Sequence, residues 1–237
     1  MDQLLVALDV DTGERAIRLA GDLGELAGGF KIGSRLFTIE GPALVRRLVE
    51  AGHRIFLDLK FHDIPNTVAQ AVEAAVQTGA WMINVHASGG IPMMKAAATT
   101  GREVASRSGR PVPLLIAVTV LTSMDQQALA QTGVSRSVLD QVLALSHLAK
   151  DAGMDGVVAS PQETAHIRKA CGPNFVIVTP GIRGASAGAT LDDQARTMGP
   201  AEALRAGASY IVVGRPIIAA ADPRAAARAI SEELAAV

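Results

Sequence analysis

Eight short apolar runs, each followed by a longer stretch of helical period, constrain this chain more than any other feature. The runs are LLVALDV (4–10), GFKIG (29–33), RIFLDLK (54–60), WMINVHA (81–87), VPLLIAVTV (112–120), GVVAS (156–160), FVIVTP (175–180) and YIVVG (210–214). Their hydrophobicity is continuous rather than alternating, the pattern of parallel strands buried on both faces. Between them, ERAIRLAGDLGELA, PALVRRLVEAG, TVAQAVEAAVQTGA and SVLDQVLALSHLAKDAG read as helices, several with a glycine near the C-terminal end, as at Gly52, Gly79 and Gly153. Eight strand–helix units of about 30 residues each predict a single (β/α)8 TIM barrel over 1–237. A six-strand doubly wound sheet is the alternative, and it requires two runs to be reassigned.

The composition agrees with a sheet covered by helices. Of 237 residues, 49% are hydrophobic and only 3% aromatic, so the core must be built from Ala, Val, Leu and Ile. The formal net charge is −1, with 22 basic and 23 acidic residues interspersed. That balance argues against a nucleic-acid stripe or a polybasic membrane anchor. The single cysteine, Cys171, rules out an internal disulfide and a Cys-rich metal site. The N-terminal MDQLLVALDV lacks a basic leader region and is too short to span a bilayer, so a soluble cytoplasmic protein is expected.

In a barrel of this type, function collects at the C-terminal ends of the strands. The polar residues expected there are Asp9 at the end of the first run, Lys31 in the second, and Asp58 and Lys60 in the third. His86 follows in the fourth, Thr119 and Thr122 at the fifth, Gly181 and Arg183 after the seventh, and Gly214 and Arg215 after the eighth. Only five of the basic residues are lysines, and Lys31 and Lys60 both lie inside apolar stretches. Lys95, Lys150 and Lys169 fall in helical segments and read as solvated faces.

The segment FLDLKFHDIPNT is the most informative. Asp58 and Lys60 are two apart, which on a strand points both to one face. Asp63 follows just beyond, where Pro65 and Asn66 signal a turn and a helix start. Ionised groups facing a barrel interior are costly unless they pair and gather hydrogen bonds. With Lys31 on the neighbouring strand, the expected result is an alternating Lys–Asp–Lys–Asp array in one pocket. The bland reading is an ion-pair network that only closes the barrel. A functional array is favoured because the charges converge where the fold places active sites. TPGIRG (179–184) and VVGRP (212–216) each set a glycine and an arginine in the two loops with which barrels commonly hold phosphate.

The segments ALDV, GFKIG, FLDLKFHDIPNTV, AVTVLTSM, TPGIR, DDQARTM and VVGRPI, in this order over residues 7–217, resemble the orotidine 5'-monophosphate decarboxylase family. The D-x-K-x-x-D pattern is shared with sugar-phosphate decarboxylases and synthases of the wider barrel group, whereas the continuation into I-P-N-T with the arginine loops is more specific. The resemblance implies decarboxylation of orotidine 5'-monophosphate to UMP, in pyrimidine nucleotide synthesis, with no cofactor and no metal. By resemblance, Asp9 binds the ribose hydroxyls, Lys31 bridges the ribose and the array, Asp58 faces the substrate carboxylate, and Lys60 protonates the ring carbon. Asp63 would come from the partner subunit of a homodimer, together with Ile64 and Thr67. Leu59, Phe61, His62, Pro65 and Asn66 complete the segment expected to border the substrate, although His62 reads as a packing or supporting histidine. Thr122 or Ser123 would contact the ring, Gln194 would link ring and phosphate, and Arg183, Gly214 and Arg215 would hold the phosphate. The Gly/Ala-rich stretch GASAGATLDD (184–193) is expected to form a closing lid.

Three rivals remain at this level: a magnesium-dependent sugar-phosphate lyase, a Schiff-base aldolase using Lys60, and a catalytically silent phosphate-binding protein. His53, His147 and His166 show no ligand spacing, Cys171 has no histidine placed as its base, and Met93 and Met94 read as core.

Overall fold

The computed structural model describes residues 2–182 and 198–237. Each apolar run contains a strand: β1 (Leu4–Ala7), β2 (Gly29–Gly33), β3 (Ile55–Phe61), β4 (Met82–His86), β5 (Leu114–Val118), β6 (Gly156–Val158), β7 (Val176–Thr179) and β8 (Tyr210–Val213). They pair in parallel in chain order, and β8 returns to β1 to close the barrel. Closure removes the doubly wound alternative, which has two free edges. Among the described residues the helices are α1 (Gly13–Leu23), α2 (Ser34–Glu50), α3 (Pro65–Gln77), α4 (Gly90–Arg107), α5 (Gln126–Gln131), α6 (Val138–Asp151), α7 (Thr164–Cys171), α8 (Pro200–Arg205), α9 (Arg215–Ile218) and α10 (Pro223–Ala235).

Several strands stop earlier than the apolar runs. β1 ends at Ala7, so Asp9 stands two residues beyond it, and β5 ends at Val118, just before Thr119. α2 begins earlier than the helical pattern, at Ser34, because it joins two segments across a kink. Gly41 sits there at φ 67, ahead of Pro42, and residues before proline disfavour the α region.

The unbroken apolar runs sort by period two into two layers. Leu5, Ala7, Phe56, Met82, Ile116, Val118, Val158, Val178 and Val212 fill the barrel interior. Their neighbours Leu4, Val6, Phe30, Ile32, Ile55, Leu57, Ile83 and Val85 face outward and pack under the helices. Burying both faces is why the runs do not alternate, and each fully buried large side chain contributes about 1.5–3 kcal/mol. Met93 and Met94 of α4 join the outer layer. At the N-terminal end of the barrel Trp81 and Tyr210 meet edge to face at 5.2 Å, with the Arg54 guanidinium 4.9 Å from the Trp81 ring. That end is plugged, and the opposite end carries the charges. Among the described residues no helix is long and apolar enough to cross a membrane.

Candidate active site

In β2 and β3 the inward positions turn from apolar to charged as the strands approach the C-terminal end. Phe56 occupies the interior layer, and the next inward residue of β3 is Asp58, which is only 8% exposed. Its carboxylate is shared between two lysines. Lys60 Nζ donates to Asp58 Oδ1 across 2.6 Å, and Lys31 Nζ stands 3.5 Å from Asp58 Oδ2. Lys31 Nζ also donates to Asp9 Oδ1 at 3.1 Å. Burial pushes the Asp58 carboxyl up, but the Lys31 and Lys60 charges, with hydrogen bonds from Lys60 and Asn84, outweigh it and hold the group below the usual carboxylate range.

Lys60 reaches Asp58 by an unexpected backbone route. Leu57 pairs with Ile83 and Phe61 with Val85, so Asp58, Leu59 and Lys60 together oppose the single residue Asn84. Inside this bulge Lys60 lies at φ 52, the one positive φ of a residue other than glycine among the described residues. The period-two argument thus gives the right convergence for an incomplete reason, because the bulge re-aims the lysine. Asn84 fills the gap: its Oδ1 accepts from Lys60 N at 2.8 Å, and its Nδ2 donates to Asp58 Oδ1 at 2.6 Å. Sequence reasoning missed Asn84. The available signal was a lone carboxamide in the apolar strand MINVH, where a completely buried amide demands partners.

The rest of the segment has other surroundings. Leu59 and Phe61 pack against the outer layer, leaving their backbone rather than their side chains nearest the mouth. Asp63 is exposed and its Oδ1 accepts from Ile64 N at 2.6 Å, so within one chain it stands apart from the lysines. Asp9, not Asp63, is the second carboxylate beside Lys31. Ile64, Pro65, Asn66 and Thr67 are all exposed at the start of α3, Ile64 to 66%. His62 is exposed rather than packed in the core, and its ring lies 5.3 Å from that of the half-buried His86 of β4, tilted by 37°. Burial, then the His62 and Lys60 charges, keep the His86 pKa below its ordinary value.

Gly214 follows β8 close to Asp9: a Cβ there would lie 3.6 Å from Asp9 Oδ2. The phosphate-loop candidate therefore borders the charged mouth, with the Arg215 side chain exposed at the start of α9. Thr122 is half-buried and Ser123 exposed, between β5 and α5. Arg183, Gln194 and the 184–193 stretch lie outside the described residues.

Comparison with known proteins bears on this geometry. The sequence profile of the "Orotidine 5'-phosphate decarboxylase / HUMPS family" matches residues 2–230. The chain is 56% identical over 234 residues to an orotidine 5'-phosphate decarboxylase of Moorella thermoacetica, covering 98% of this chain and 92% of that protein. It is 50% identical over 232 residues to one of Nitrosococcus oceani, covering 98% and 97%. Among solved structures, the orotidine 5'-phosphate decarboxylase of Lactobacillus acidophilus superposes with a TM-score of 0.86 at 38% identity, over 98% of each chain. That of Pyrococcus horikoshii gives 0.77 at 29% identity, over 99% of this chain and all of the other.

Proposed function

The chain belongs to the orotidine 5'-phosphate decarboxylase / HUMPS family, and from that premise we propose how it works as a carboxy-lyase. The reaction converts orotidine 5'-monophosphate to UMP and CO2, a step of pyrimidine biosynthesis, without a cofactor. The observation that carries the reading is the buried Asp58 carboxylate held 2.6 Å from the Lys60 ammonium at the open end of the barrel. The four relatives and structures compared above support decarboxylase over the other activity in the family's description.

Direct decarboxylation breaks the bond between the ring carbon and the carboxylate and leaves the electron pair on that carbon. With no electron sink, the site must stabilise the developing charge itself, and preset charges do so without reorganising. Lys60 supplies the cation and then the proton, forming the C–H bond and leaving a neutral amine that recovers a proton from water. Proton transfer from a positioned group contributes roughly 10²–10⁴-fold. Asp58, kept ionised by Lys31 and Lys60, opposes the substrate carboxylate in the bound state and is relieved when CO2 departs.

Asp9 and Lys31 take the ribose hydroxyls in this reading, and Gly214 and Arg215, with Arg183, the phosphate. Phosphate binding lies away from the chemistry, yet its energy can serve the reaction by fixing the ring over Lys60. Thr122 or Ser123 and Gln194 take the pyrimidine. The working unit in this reading is a homodimer of single-domain chains over 1–237, with Asp63, Ile64 and Thr67 of each chain completing the other's mouth. The exposure of the whole 62–67 segment, with Ile64 at its tip, supports that arrangement.

The test is conversion of orotidine 5'-monophosphate by purified protein in EDTA, followed by absorbance and by recovery of UMP. Turnover is expected. A folded protein that leaves the nucleotide intact, but acts on a sugar phosphate with magnesium, would replace this reading.

A further inference from the structure

A strand inside a closed barrel has few ways to hold a lysine in the left-handed region. That conformation is costly for a side-chain-bearing residue and persists only where the surroundings over-determine it. At Lys60 the bulge also removes the regular ladder partner of the N–H, because three residues of β3 face one of β4. The Asn84 side chain meets both needs. Its carbonyl oxygen takes the Lys60 N–H, and its amide N–H ties down the same Asp58 oxygen that receives Lys60 Nζ. Asn84 is completely buried, on the interior face between Met82 and His86, and it links the two charged residues through backbone and side chain at once.

We propose that Asn84 is a positioning residue of the reaction: its carboxamide locks the Lys60 backbone in the bulge and fixes Asp58, so that ammonium and carboxylate are preset before substrate arrives. The inference rests on the decarboxylase reading for its kinetic consequence but not for its structural one. Without the amide, the Lys60 N–H loses its acceptor, and relaxation of the bulge toward extended backbone swings the side chain away from its present line. Displacement of a catalytic group by about 1 Å is enough to cost on the order of 100-fold. Loss of the amide donor also withdraws one of the bonds that favour the ionised form of Asp58.

Two variants separate positioning from packing. Asn84→Leu keeps the size and branching and deletes both bonds, which a buried strand tolerates. Asn84→Asp keeps an acceptor for Lys60 N–H but turns an oxygen toward Asp58. Each is read by steady-state kinetics with orotidine 5'-monophosphate, by the acid limb of the kcat/KM profile, and by 13C NMR titration of the Asp58 carboxyl in substrate-free protein. For Asn84→Leu, kcat falls about 100-fold with KM within about threefold, and the acid limb moves to higher pH. In Asn84→Asp the Asp58 titration moves higher still, since like charges oppose ionisation. Should Asn84→Leu not fold, Asn84→Ser carries the same expectations. Folded variants with kcat within about threefold of the parent, or with the parent's Asp58 titration, overturn the proposal. If the parent itself does not act on the nucleotide while Asp58 titrates as expected, the reaction assignment falls and the positioning role stands.

Discussion

Lys60 donates to Asp58 across 2.6 Å from a backbone at φ 52, so the pair is held by the fold and not by two flexible side chains finding each other. The carboxylate is the more buried partner, with 11% of its side chain exposed against 34% for the lysine. Its pKa is depressed from an ordinary 3.8, so it contributes stability that is fully present above that value and lost as the pH falls through the lower folded pKa. Urea unfolding should therefore show the parent to be more stable than Asp58→Asn at neutral pH. The difference should shrink as the pH falls below 3.8. A constant difference down to strong acid would show that the depression is absent.

His86 acts in the same direction over a higher pH range. Its folded pKa lies below 6.5, so the unfolded chain binds more protons between those values and stability falls as the pH drops below 6.5. The stability of the parent relative to His86→Gln should decline over that interval and level off below the folded pKa. Parallel stability curves for the two proteins would contradict it.

Two glycines separate a requirement of the fold from one of the site. A Cβ at Gly156 would collide with the Val176 carbonyl oxygen, a backbone atom that cannot yield without breaking the β6–β7 pairing. Gly156→Ala should cost on the order of 3 kcal/mol, read as a fall in Tm. A Cβ at Gly33 instead meets the end of the Lys31 side chain, 3.1 Å from Nζ. Gly33→Ala should lower Tm much less than Gly156→Ala but shift the ammonium from Asp58 and lower kcat/KM about tenfold.

Asp63 supplies the test of the dimer. It is exposed and turned onto its own backbone in one chain, whereas the proposed mechanism needs it in the partner's mouth. Mixed chains of inactive Lys60→Ala and Asp63→Ala should regain activity, since one mouth of each heterodimer then has both residues intact. No recovery after confirmed subunit exchange would place Asp63 in cis.

The barrel was legible because burial on both strand faces leaves a signature of continuous apolar runs, and all eight contain a strand. Lys31, Asp58 and Lys60 were legible because charge inside such runs requires partners. Asn84 was not, since an amide carries no charge and its importance depends on a β3–β4 register shift that no local pattern encodes. The kink at Gly41 and the contact of the exposed His62 ring with His86 likewise depend on tertiary neighbours. Asp9 was expected at a strand end, and it stands beside Lys31 because the chain past β1 still runs along β2, with Leu8 N donating to the Lys31 carbonyl oxygen.

The most direct test of the account is the rate of orotidine 5'-monophosphate decarboxylation at saturating substrate in EDTA, for the parent and Lys60→Ala side by side, with circular dichroism to show that both are folded. Rapid conversion to UMP by the parent is expected, with a loss of at least roughly 10³-fold in the variant. A folded Lys60→Ala protein that turns over within about tenfold of the parent would contradict it.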